Sequence, residues 1–142
     1  MIAYFDTSAL VPLLINEPTS EICRKVWNSA STVLSTILLH TEASAALAQA
    51  ERQDRIDAQE HAAALALLEL IWARMDVIGT SEPIIRRASQ LSAVYSLRAY
   101  DAVHCASAEF LTGSDVVAVS GDRRLLAAWH ALGFHTVDTG VA

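Results

Sequence analysis

Short apolar runs alternate along this chain with longer stretches of helical period. Ile2–Phe5 is apolar and stops at Asp6, which predicts a buried strand. Ser8–Ile15 reads as a short helix ended by Asn16-Glu17-Pro18, and Thr19 or Ser20 is placed to cap a second helix through Asn28. Thr32–Leu34 is a weaker strand, after which Ser35 or Thr36 is expected to cap a helix running to Gln53. Asp57 with Glu60 makes a capping box for a long helix ending near Arg74. Asp76–Ile78 follows as a brief strand, and Ser81-Glu82-Pro83 opens a helix toward Ser96. Tyr100–Leu111 is a further helix stopped at Gly113. Val116–Val119 is the clearest strand after the first. Leu125, Leu126, Trp129 and Leu132 then make one apolar stripe closed by Gly133, and His135–Val137 is an edge strand.

Strands alternating with helices predict an α/β fold: one domain over residues 1–142, with a parallel sheet of about four to five strands flanked by helices on both faces. No repeat or linker divides the chain.

The stretch VVAVSGD, Val116 to Asp122, repeats the grammar of the opening: an apolar strand, a hydroxyl, and an acid at the strand's end. In open parallel sheets, ligands bind beyond the carboxyl ends of the strands, so Asp6 and Asp122 fall on one edge. Each could equally cap the helix that follows it. Glu42 lies among Leu38, Leu39, Ala45 and Ala46, and Asp101 opens a helix rich in Ala, Val and Cys. Acids enter such surroundings only with a partner. Lys25 is the only lysine, so a divalent cation is the economical one. Hard oxygen ligands without cysteine or paired histidine favour Mg²⁺ or Mn²⁺ over Zn²⁺.

Composition narrows the class. The net charge of −6 argues against nucleic-acid binding through bulk charge, while leaving room for a local basic patch. Hydrophobic residues make up 53%, yet no apolar run reaches the roughly 18 residues of a membrane span. With no basic-then-apolar leader, the expectation is a soluble cytoplasmic protein without a membrane partner. Cys23 and Cys105 lack ligand spacing and read as buried thiols.

FDTSAL, the Glu in the helix after the second strand, YDAVHCASA and VSGDRRLLAAWHALGF together resemble a PIN-domain ribonuclease. Their order and spacing are most similar to the VapC-type toxins of bacterial toxin–antitoxin pairs, over Met1 to about Val137. The resemblance implies metal-dependent endonucleolytic cleavage of RNA, with growth inhibition as the outcome. It places the acidic metal site on Asp6, Glu42, Asp101 and Asp122, with Asp6 and Asp101 as direct ligands of Mg²⁺ or Mn²⁺ and Glu42 and Asp122 completing the set directly or through metal-bound water. Thr7 and Ser120 would support those carboxylates. A homodimer and a VapB-type antitoxin, whose tail offers an Arg to the carboxylates, are likewise implied.

Other residues carry less. Arg123 and Arg124 would either touch RNA phosphate or form a solvated helix face. His104 shares a helical side with Asp101 but is expected to serve packing, and the tryptophans fit apolar stripes. A receiver domain would need a late lysine, and a haloacid dehalogenase-like phosphatase would need Asp where Ser8 stands. A catalytically degenerate domain that only binds protein or RNA is the alternative. Surplus apolar residues on two helices (Leu38, Leu39, Leu47, Ile84, Ile85, Leu91 and Val94) are expected to furnish the dimer face.

Overall fold

The computed structural model describes residues 1–111 and 115–140. Gly113, the expected stop of one helix, lies outside the described residues.

Five parallel strands form one sheet. In chain order they are β1 (Ile2–Phe5), β2 (Thr32–Thr36), β3 (Asp76–Ile78), β4 (Val116–Ser120) and β5 (His135–Asp138), and their spatial order is β3-β2-β1-β4-β5. The chain therefore builds outward from β1 in one direction and then returns to its other side. The register Tyr4↔Leu34 and Tyr4↔Ala118 fixes β1 between its neighbours. The crevice beyond the ends of β1 and β4 is thus a topological switch point.

Seven helices lie among the described residues: α1 (Thr7–Leu14), α2 (Ser20–Ser29), α3 (Leu39–Arg52), α4 (Ala58–Trp72), α5 (Glu82–Tyr95), α6 (Ala99–Glu109) and α7 (Arg123–Ala131). Side chains of a strand alternate between faces. Ala3, Phe5 and Val119 accordingly join Leu10, Leu39, Leu47 and Leu68 in one core. Tyr4, Val116 and Ala118 join Leu91, Cys105, Leu125 and Trp129 in the other. Both faces of the sheet are covered, as the near-continuous apolar strands require.

Most element ends shift by a residue or two, and the larger differences from expectation lie at the caps of α2 and α3. β2 runs through Thr36, because Ser35 and Thr36 pair with Val77 and Ile78 instead of capping α3. The Ser35 hydroxyl donates to the Phe5 carbonyl at 2.7 Å, and Leu38, without a side-chain cap, precedes α3. Thr19 precedes α2 without capping it, while the Ser20 hydroxyl accepts from Glu17 N–H and donates to the Ile15 carbonyl. The capping box of Asp57 and Glu60 is present in full.

The apolar surplus is also narrower than the sequence suggests. Leu39, Leu47, Ile84 and Leu91 are buried in the two cores, whereas Ile85 and Val94 are exposed at 42% and 70%. Leu91 is therefore a packing residue of the monomer. Cys23 and Cys105 are buried and unpaired. Among the described residues no helix is long and apolar enough to cross a membrane.

Trp129 is fully buried and meets Tyr4 edge-on, with ring centroids 5.7 Å apart. Trp129→Ala should cost about 3–5 kcal/mol of stability, the usual range for deleting a buried aromatic. A lowered urea midpoint at unchanged slope is the expected measurement.

Candidate active site

Asp6 ends β1 and begins α1, so its carboxylate serves two purposes at once. Its Oδ1 accepts from the Ala9 N–H at 3.0 Å, which caps α1. The Ser120 hydroxyl, at the tip of β4, donates to Oδ2 at 2.6 Å, and the Ser8 hydroxyl donates to Oδ1 at 2.7 Å. Ser120 Oγ in turn accepts from Asp122 N–H, and Ser8 Oγ accepts from Gly121 N–H. Two neighbouring strand ends are thereby stitched together around one carboxylate that is only 3% exposed.

Asp122 repeats the device. Its Oδ1 accepts from the N–H groups of Arg124 and Leu125 and caps α7, while Oδ2 turns toward Arg98 at 3.4 Å. Asp101, in the first turn of α6, receives Arg98 Nε at 3.2 Å. Glu42, in the first turn of α3, meets His104 Nε2 at 2.8 Å. All four acids line one cavity of about 420 Å³, together with Thr7, Ser8, Arg98 and His104.

The electrostatics follow from crowding. Burial, above all, pushes the Asp6 carboxyl above its ordinary value of 3.8, against the pull of His104 and of hydrogen bonds from Ser120, Ser8 and Ala9. Burial likewise raises Asp101, and the negative charge of Asp122 adds to it; Arg98 opposes both. Among the described residues no three acid, histidine or cysteine side chains form a preassembled metal cluster. The donor set nevertheless suits a hydrated Mg²⁺, which keeps several waters and is commonly held by one or two carboxylates.

The sequence-predicted residues divide clearly. Asp6, Glu42, Asp101 and Asp122 are brought together, and Ser120 bonds Asp6 as anticipated. Thr7 lines the cavity but reaches His104 Nε2, at 3.5 Å, and makes no bond to Asp6. Arg123 and Arg124 sit exposed at the start of α7 and do not line the cavity. His104 is not merely packing: the buried ring is hydrogen-bonded through both nitrogens. Sequence reasoning missed Ser8 and Arg98. Their signals were the Asp-x-Ser spacing and a basic residue three positions before Asp101.

This fold with an acidic cavity at the switch point defines a class. The chain belongs to the PIN-domain family, whose model matches residues 3–128. Ribonuclease VapC49 of Mycobacterium tuberculosis (strain ATCC 25618 / H37Rv) is 35% identical to it over 132 residues, covering 93% of this chain and 92% of that protein. The crystal structure of PAE2754 from Pyrobaculum aerophilum superposes with a TM-score of 0.69 at 23% identity, over 99% of this chain and 90% of that one. A toxin–antitoxin complex from Klebsiella pneumoniae matches with a TM-score of 0.64 at 15% identity, covering 96% and 97% of the two chains.

Asp6 and Asp101 hold protons more tightly in the folded chain than in the unfolded one. Their contribution to stability is therefore complete below the ordinary carboxylate value of 3.8 and is lost as pH rises through the raised folded values. In chelator-treated protein, Asp101→Asn should flatten that fall and leave the variant more stable than wild type at neutral pH. Melting curves from pH 4 to 8 check it, and parallel profiles for the two proteins would refute it.

Proposed function

We propose that this chain is a metal-dependent endoribonuclease that acts as the toxin of a toxin–antitoxin pair. One observation carries the reading: four acids from four separate elements meet in a single cavity at the sheet's switch point. The name ribonuclease on a relative 35% identical over 93% of this chain supports the substrate class. The likeness to a toxin–antitoxin complex supports a protein antitoxin as partner, and the sequence resemblance gives its VapB type.

The chemistry assigned to each side chain follows from its surroundings. Asp6 and Asp101 would hold Mg²⁺, with Mn²⁺ as a substitute, and Glu42 and Asp122 would complete the set directly or through water. When bound, the cation activates water and neutralises charge on the phosphate undergoing hydrolysis. Ser120 and Ser8 fix the Asp6 carboxylate so that it cannot swing away as the charge at the site changes. Arg98 is the arginine of the cavity wall, and its exposed guanidinium is the group placed to meet RNA phosphate. Arg123 and Arg124 extend that basic edge outside the cavity.

Asp6→Asn and Asp101→Asn should each cut RNA cleavage by more than the roughly hundredfold ceiling typical of outer supporting residues. Growth inhibition on expression should disappear with cleavage. Mg²⁺ or Mn²⁺ should raise the melting temperature of wild type, and the variant lacking all four acids should lose that response. Mapping RNA ends after expression with and without Asp101 identifies the substrate. Full cleavage by a folded Asp101→Asn protein sinks the assignment, and metal binding without cleavage by wild type would favour the binding-module alternative.

Assembly as a homodimer belongs to the same reading, and exposed apolar side chains on α5 support it. Val94, at 70% exposure, can accept a charge without harm to the monomer's core. Val94→Arg should therefore convert dimer to monomer by light scattering at micromolar concentration, with an unchanged melting profile for the metal-free monomer. A wild type that is strictly monomeric refutes the dimer.

A further inference from the structure

A second line of polar side chains runs behind the acids. Tyr4 precedes Asp6 by two residues and His104 follows Asp101 by three, so each lies on the same side of its element as the acid it accompanies. The Tyr4 hydroxyl is 2.9 Å from His104 Nδ1, and His104 Nε2 is 2.8 Å from Glu42 Oε1. Tyr4 and His104 are both essentially inaccessible to solvent. Through one imidazole, β1, α6 and α3 are joined: the three elements that carry or adjoin Asp6, Asp101 and Glu42.

Chemistry assigns the direction of these bonds. An ionised carboxylate only accepts, so Nε2 must present a proton to Glu42. In the tautomer with its proton on Nε2 the lone pair lies on Nδ1, where the Tyr4 O–H donates. The opposite tautomer would set two acceptors against each other beside Glu42, at the cost of the 2.8 Å hydrogen bond.

We propose that His104 is a positioning residue for Glu42, held in the tautomer that donates from Nε2, with the Tyr4 hydroxyl meeting Nδ1 from behind. The kinetic consequence rests on the ribonuclease reading of the cavity; the tautomer is a property of the free protein. Thr7, at 3.5 Å from the same nitrogen, sits at the limit of hydrogen bonding and leaves Glu42 the main acceptor.

Two measurements test this independently. The first is the ¹⁵N-imidazole NMR spectrum of metal-free protein at a pH where the ring is neutral, in which His104 should show protonated Nε2 and unprotonated Nδ1. Tyr4→Phe, which keeps the packing and removes the Nδ1 partner, should leave Nε2 protonated, because Glu42 still requires that proton. A neutral wild-type ring protonated at Nδ1 overturns the proposal whatever the protein does to RNA.

The second is kinetic. His104→Leu should lower kcat about tenfold, at the low end for outer supporting residues, with KM for RNA little changed. His104→Gln, which retains an N–H donor, should recover most of the loss. In a Glu42→Gln background the His104→Leu loss should vanish, because its effect runs through that carboxylate. Equal losses in both backgrounds would show a merely structural role and overturn the proposal. If wild type cleaves no RNA, the ribonuclease reading fails, and the NMR result still decides the tautomer.

Discussion

The burial of the Asp6 carboxylate is the constraint from which the rest of the site follows. A carboxylate taken out of water at the end of a strand is costly unless donors surround it. The donors come from three places: the first turn of α1, the Ser8 hydroxyl, and Ser120 at the end of β4. To supply Ser120, β4 must lie beside β1, and the parallel register Phe5↔Val119 places it there. To supply Ala9 N–H, α1 must begin immediately after Asp6. The switch-point topology and the first helix boundary are therefore both conditions for keeping this one charge inside the protein.

Much of this was legible because the chain breaks its own hydrophobic pattern where the acids fall. Asp6 and Asp122 stop apolar strands, and Glu42 and Asp101 interrupt apolar helices, so each was conspicuous before any fold was known. The choice between helix cap and site residue for Asp6 and Asp122 was a false one, since each carboxylate does both. One oxygen of Asp122 caps α7 while the other faces Arg98. A parallel sheet covered on both faces also followed from the alternating elements, whereas the strand order and the pairing of β1 with β4 did not.

What was not legible depended on contacts between distant residues. Ser35 and Thr36 suit a cap or a strand equally well, and only pairing with β3 decides for the strand. Leu91 and Val94 look alike in a helical pattern, yet one is inside the core and the other in solvent. The His104 partners lie 100 and 62 residues away, at Tyr4 and Glu42, so no local spacing could announce them. Arg98 was overlooked for a different reason: its place three positions before Asp101 gains meaning only when the fold brings Asp122 to the same guanidinium.

The four acids are not held alike, and the difference bears on what the site can do. Asp6 is gripped by three donors drawn from backbone and hydroxyl groups, all uncharged. These stabilise the carboxylate without neutralising it, so its charge remains available to a cation. Asp101 and Asp122 are instead bridged by the exposed guanidinium of Arg98, a charge that can leave at little cost because solvent screens it. Glu42 is steadied on one oxygen by a ring that is itself held from behind. A rigid acid, a steadied acid and two acids sharing a removable countercharge make a site that tolerates its own repulsion when empty. The same arrangement leaves most of its negative charge for an incoming cation, because the groups that order the carboxylates are, Arg98 apart, groups that need not be displaced.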